Sequence, residues 1–118
     1  MSTEQSGGGP LPENHREINP VTGQQKAYVV LTPEERAKGF VRPVRRKYVH
    51  LGHGAEFRGS VQMTHGSGCG ALTVMSQDIA ETYARDPKFY SGTFCVGCKV
   101  HLPLDEFVWD GSNEQVGS

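Results

Sequence analysis

Two thiols stand two residues apart, Cys95 and Cys98, in the segment TFCVGCKVHLPLDEFVW. Thiolates hold zinc well, and four protein ligands close a structural tetrahedral site. A C-x2-C pair turns two sulfurs toward one ion while the intervening amides point at them. Val96 and Gly97 lie between the thiols, and Gly97 can take the positive φ that a tight knuckle often requires. The flanking GTF and KVHL read as strands, so a β-hairpin knuckle is expected. The third cysteine, Cys69, sits in GSGCGALT between Gly68 and Gly70, which suits a backbone that approaches an ion closely. Twenty-five residues separate Cys69 from Cys95. That is room for a strand and a helix that bring Cys69 back to the knuckle.

A fourth ligand is needed. His101 gives the series Cys95-x2-Cys98-x2-His101 and is favoured, provided the backbone bends after Cys98. His65 gives His65-x3-Cys69 and is the alternative, with His53, a carboxylate or water behind it. Read plainly, His65 is a polar residue of a Gly-rich loop and His101 a residue of a surface strand. The expected site is therefore one Zn2+ on Cys69, Cys95, Cys98 and His101, with His65 as the other choice. A redox dithiol would need a strand-to-helix context after its first cysteine. Here a hairpin and Pro103 follow. HGAE (His53 to Glu56) with a downstream C-x2-C invites comparison with zinc deaminases, which use H-x-E and then P-C-x-x-C. The His–Glu spacing is one residue too long, and no proline precedes Cys95. No G-x-S-x-G, phosphate loop or H-E-x-x-H occurs. Four protein ligands and no nearby acid–base machinery point to a structural ion.

The elements that must position these residues belong to a small α+β domain. Residues 1–26 are polar, rich in Gly and Pro and without apolar periodicity, and are expected to be a disordered tail. Residues 27–118 are expected to form a single domain, of a size that often leans on a metal or disulfide. AYVVL, FVRPVRRKYVHL, ALTVM and FYSGTFC are β-prone, with Pro43 suggesting an edge strand or a bend. A short strand is expected near Val61 to Met63. TPEERAKG carries Thr32 at an N-cap, Pro33 at N1 and Glu35 to complete a capping box. SQDIAETYARD is the main helix, with Ser76 as N-cap, Met75, Ile79 and Tyr83 as its apolar stripe, and Pro87 ending it. EFVWDGSNEQVGS reads as a final hairpin turning at Asp110–Gly111.

GFVRPVRRKYVH, GCGALTVM and IAETYARDPKFYSGTFCVGCKVHLPLDEFVWDG resemble a group of small proteins of bacteriophages and their bacterial hosts to which no activity is assigned. The shared pattern runs GFVRPVR, GCG-x2-T-x-M, AETYARDPKFY and TFC-x2-C-x2-H-x-P-x2-EF, and covers most of Gly39 to Gly117. The resemblance implies a metal pattern on Cys69, Cys95, Cys98 and His101, and no reaction. CVGCKVHLPLDEF also looks like the zinc knuckle of some phage recombination endonucleases. Their second C-x2-C and catalytic His/Asn region do not occur here, so that likeness supports a knuckle and not a nuclease.

Bulk properties narrow the remaining classes. The 118 residues carry a net charge of −1, 36% hydrophobic residues and a mean hydropathy of −0.49. No apolar run approaches the roughly 20 residues of a membrane span, and the N-terminus has no apolar signal region. A location in the cytoplasm of a bacterial or phage-infected cell is expected. Charge is uneven: Arg36, Lys38, Arg42, Arg45, Arg46 and Lys47 fall within twelve residues. Two partner classes follow. One is a protein, bound by an accessory interaction module of the phage type. The other is nucleic acid, held by Arg42, Arg45, Arg46 and Lys47 on phosphates with Tyr48 stacking. The plain reading of the same stretch is a solvated edge strand whose charges discourage pairing.

Overall fold

The computed structural model describes residues 2–52, 54, 56–58, 61–62 and 66–118. In chain order these contain β1 (Thr3–Gln5), β2 (Val29–Leu31), α1 (Pro33–Arg36), β3 (Lys47–His50), β4 (Phe57–Arg58) and β5 (Val61–Gln62). Then come β6 (Leu72–Val74), α2 (Gln77–Arg85), β7 (Gly92–Cys95), β8 (Val100–Pro103), a 3-10 turn at Leu104–Glu106 and β9 (Phe107–Trp109). The expected α+β class holds. No helix among the described residues is long and apolar enough to cross a membrane.

The central element is β3. It pairs antiparallel with β6 on one side (Tyr48 opposite Thr73) and with β9 on the other (Tyr48 opposite Trp109, His50 opposite Phe107). Side chains alternate across a strand, so Tyr48 and His50 share a face, and both are buried. The edge-strand reading of the basic stretch is thereby corrected. Pro43 lies before the strand begins, so its missing N–H costs the ladder nothing. β1–β2, β4–β5 and β7–β8 form three further two-stranded pairings.

α2 follows its apolar stripe onto this sheet, with Met75 and Tyr83 buried and Ile79 partly buried against the core. Rings then connect helix to sheet edge-on: Tyr83 meets Trp109 at 5.5 Å, Trp109 meets Tyr48 at 6.3 Å, and Tyr48 meets Phe107 at 5.4 Å. Such contacts add about 0.5–1.5 kcal/mol each beyond area burial. The series ends at His50, whose ring lies 4.9 Å from Phe107.

Two local expectations change. Thr32 stands at the N-cap of α1 but makes no capping bond, and its hydroxyl instead meets Ser2 Oγ at 2.6 Å. The stretch read as a mobile tail contains β1, which pairs with β2 from Thr3↔Leu31 to Gln5↔Val29. Beyond β1, the Ser6 hydroxyl and the Gly7 N–H each donate to the Asp78 carboxylate at 2.8 Å, and Ser76 donates to it at 2.6 Å. Asp78 sits in the first turn of α2, where negative charge also suits the helix dipole. Burial pushes its pKa up, but the Ser76, Gly7 and Ser6 donors outweigh burial and hold it below the usual carboxylate value. A carboxylate with a depressed folded pKa stabilises above its unfolded pKa, and that contribution is lost as pH falls through the folded value. Asp78→Ala is expected to cost about 1 kcal/mol and to speed amide exchange across residues 3–7. The wild-type chain should show the same loosening only in acid, below the ordinary carboxylate pKa.

Candidate metal centre

His50 ends β3 on the core face. Cys69 reaches it because residues 68–70 run beside residues 50–52, with Gly68 N–H donating to Leu51 O at 2.7 Å and Gly70 N–H to His50 O at 3.0 Å. The approach leaves no room for side chains. A Cβ at Gly68 would fall 2.4 Å from the Leu51 carbonyl carbon, and one at Gly52 (φ +78°) 2.2 Å from the Gly68 nitrogen. The glycine flanking Cys69 on its N-terminal side thus serves a close approach, but of one backbone segment to another rather than of the backbone to an ion.

Cys95 ends β7 and is fully buried, while Cys98 closes the following turn at the surface. Cys98 N–H points at Cys95 Sγ (3.4 Å), and Lys99 N–H donates to Cys95 O at 2.7 Å. The hairpin knuckle forms as expected, but its left-handed residue is Lys99 (φ 59°), and Gly97 is not among the positive-φ glycines. Gly97 matters for space: a Cβ there would lie 2.7 Å from Cys69 Sγ and 2.8 Å from Ala71 Cβ.

These segments bring four donor atoms together. Cys69 Sγ and Cys98 Sγ each lie 3.5 Å from His50 Nδ1, and Cys69 Sγ lies 3.4 Å from Cys95 Sγ. All four ligand atoms fall within 4.8 Å of one another. A tetrahedral ion with metal–sulfur bonds of about 2.3 Å and a metal–nitrogen bond of about 2.0 Å would set these edges at about 3.5–3.8 Å. The cluster could hold a metal ion. Behind it, His50 Nε2 pairs with Glu106 Oε1 at 2.9 Å, both groups buried. With Nε2–H given to the carboxylate, the Nδ1 lone pair faces the sulfurs, the arrangement in which an outer carboxylate orients a ligating imidazole.

The electrostatics of the metal-free cluster are unbalanced. The Ala71 N–H, followed by His50 and the neighbouring cysteines, draws the Cys69 thiol down to about 6 against the opposing effect of burial. Cys69 in turn pushes Cys98 up to about 11, with burial and Cys95 adding to the rise. The cluster thus favours a thiolate on Cys69 and opposes one on Cys98 beside it. Burial works to lower the His50 pKa, but Glu106 and Cys69 more than reverse it.

The remaining candidates lie elsewhere. His101 was expected among the ligands, yet β8 starts at Val100 and runs straight through it. The bend that would have aimed it at the ion does not occur. Its Nε2 shares a hydrogen bond with the Tyr28 hydroxyl at 2.8 Å, and burial lowers its pKa. His65, like His53, lies outside the described residues. Tyr48, read as a stacking residue, is buried, with its hydroxyl donating to Phe94 O. Arg45 pairs with Glu114 at 2.9 Å and lies 4.8 Å over the Trp109 ring. Arg46 donates to Met75 O at 3.0 Å and Arg42 to Ser118 O at 3.2 Å. Lys47 is exposed. The structure thus brings together the three cysteines and His50, which sequence reasoning missed. The signal for His50 was its place two residues after Tyr48 in a strand, a histidine on the apolar face.

No family model, curated protein or solved structure matches this chain.

The geometry orders the substitutions. His50→Ala is expected to weaken metal binding far more than His101→Ala, measured by competition with a chromogenic chelator. Glu106→Gln keeps a side chain of the same shape but removes the charge behind the imidazole. It should lower metal affinity by about 10–100-fold with little change in metal-free stability.

Proposed function

We propose that this chain is a small zinc-binding module of the phage accessory type, in which one structural Zn2+ on His50, Cys69, Cys95 and Cys98 holds a protein-interaction surface in shape. The observation that carries the metal reading is the convergence of four donors from three separate segments, with Glu106 set behind the only nitrogen among them. Three sulfurs and an imidazole suit zinc, and four protein ligands leave no position for a reacting water. The ion's part is to neutralise the thiolates and to crosslink β3, the Cys69 segment and the β7–β8 hairpin.

The interaction reading rests on what the surface offers. Leu72 and Val74 on β6, Val96 in the knuckle and Val100 at the start of β8 are exposed large apolar side chains. Exposed apolar side chains of this kind are what a protein partner would cover. The nucleic-acid alternative is weaker, because most of the basic stretch is engaged internally. Arg45, Arg46 and Arg42 bond to Glu114, Met75 and Ser118.

Elemental analysis of untagged protein should give close to one zinc per chain, and X-ray absorption should report three sulfurs and one nitrogen around it. Stripping the ion with a strong chelator should unfold the C-terminal half, since zinc in small sites supplies on the order of 10 kcal/mol of apparent free energy. A folded chain with unchanged circular dichroism after metal removal would refute the structural role. Because the thiols must lose protons to bind, zinc affinity should fall as pH is lowered. Substituting Leu72 and Val74 with Ser should abolish partner binding without releasing zinc. If instead Arg42→Ala and Lys47→Ala remove a steeply salt-dependent nucleic-acid affinity, the interaction reading gives way to the alternative.

A further inference from the structure

A cleft of about 490 Å³ opens between the N-terminal segment, α2 and the β7–β8 hairpin, away from the metal-ligating atoms. That volume falls in the range of sites that enclose small molecules. Two groups of rings line it. Tyr28 and Phe94 flank His101 with centroids at 5.7 and 5.4 Å. Tyr83 and Phe89 flank Tyr90 at 4.7 and 4.9 Å. The polar ends of the first group's Tyr28 and the second group's Tyr90 are already engaged, by His101 at 2.8 Å and by the Val29 carbonyl at 2.6 Å. Tyr83 and Phe94 are buried behind the lining, so the rings open to a ligand are those of Tyr28, Phe89, Tyr90 and His101, with Ser6, Gln24 and Thr93 among the polar groups beside them. On such partly exposed rings a planar heterocycle can stack.

The charge on the lining itself is positive, with the Asp78 carboxylate set behind Ser6 and Ser76 and already hydrogen-bonded to both. Among the described residues no Asp or Glu lines it, and Arg16 does. Arg16 is exposed, and it makes no hydrogen bond or ion pair with the described residues, whereas Arg36 and Arg45 are both paired. The backbone on either side of Arg16 is held in place, with Ala27 N–H donating to His15 O at 3.1 Å and Lys26 N–H to Glu17 O at 2.8 Å. A guanidinium fixed at its base and free at its tip presents a fork of donors to a phosphate or carboxylate.

The geometry points to a binding site for a planar heteroaromatic anion of the nucleoside monophosphate class, its ring system against the aromatic groups and its phosphate on Arg16. This site uses none of the four metal-ligating residues and goes beyond the zinc-module reading. The same chemistry is offered by a free mononucleotide and by the 5′-phosphorylated end of a single strand.

The test is calorimetric titration of the full, metal-loaded chain with adenosine and uridine 5′-monophosphates, the parent nucleosides, inorganic phosphate and a short 5′-phosphorylated oligonucleotide. Saturable one-to-one binding of a nucleotide or of the oligonucleotide is expected, with nucleoside and phosphate alone each weaker by about tenfold or more. Arg16→Ala should reduce affinity about tenfold with no change in melting temperature, and Phe89→Ala, at the half-buried edge of the cleft, should do likewise. An oligonucleotide that binds more tightly than the mononucleotide, with the same dependence on Arg16, assigns the site to strand ends. One that binds no more tightly assigns it to free nucleotides. Absence of saturable binding by both, or binding indifferent to both substitutions, overturns the proposal and leaves the zinc reading untouched.

Discussion

Three thiol sulfurs brought within a few ångströms of one another repel as soon as more than one of them ionises. In this fold the Ala71 amide favours one thiolate on Cys69, and that thiolate pushes Cys98 up to about 11. The cluster is therefore a place where negative charge is wanted by the backbone and opposed by its neighbours, a conflict that a bound cation would resolve. Much of the surrounding structure follows from keeping the cluster tight. Gly52, Gly68 and Gly97 remove side chains that would collide with a backbone or a sulfur. Glu106 fixes the imidazole from behind, and Phe107 packs beside it. The same β3 that delivers His50 carries Tyr48 into the ring series that seats α2. Core packing and donor placement share one strand, so a shift in its register would disturb both, because a one-residue slip turns every side chain to the other face.

Some of this was legible in the sequence because it is local. The C-x2-C hairpin, the glycines around Cys69 and the apolar stripe of α2 each depend on residues a few positions apart. His50 was not legible in that way. Its role depends on β3 being a central strand, on which of its faces is buried, and on a segment nineteen residues later crossing beside it. Proximity to Cys98 in the chain favoured His101, but a strand that resumes at Val100 turns that ring toward Tyr28 instead. The spacing of Gly97 suggests a left-handed turn residue, but the turn takes that residue at Lys99, and Gly97 is required by crowding across the cluster. The N-terminal segment is polar and aperiodic, so its composition suggested no packing. Its partners, β2 and Asp78, lie far along the chain and act on its backbone rather than on apolar side chains.

That last point changes how the molecule is divided. The N-terminal segment supplies Arg16 and His15 to a cleft whose rings come from Tyr28 before β2, from the hairpin and from α2 and the residues after it. It is held there by backbone hydrogen bonds to and near β2, by contacts of Ser2 and Glu4 with Thr32 and Arg36, and by the Asp78 carboxylate at the start of α2. Segments held mainly by backbone bonds and few apolar contacts open at lower free energy than a core does. One wall of the cleft is thus tied to the rest of the fold mainly through polar contacts, while the four donors His50, Cys69, Cys95 and Cys98 sit on the central sheet and the segments packed against it.

The unequal spacing of the four donors has a consequence for assembly. Cys95 and Cys98 form a local pair, separated only by the turn of one hairpin, whereas Cys69 and His50 join through loops that grow from 26 to 48 residues. Closing a loop costs entropy that rises with its length, though slowly. An ion arriving at the unfolded chain would meet the local thiol pair first, at the smallest entropic cost. The Cys69 segment and then β3 would close onto an ion already held. Escape would follow the reverse order, so the long-range donors would act as the latch and the hairpin as the hand that keeps hold of the ion while the rest of the fold opens and closes.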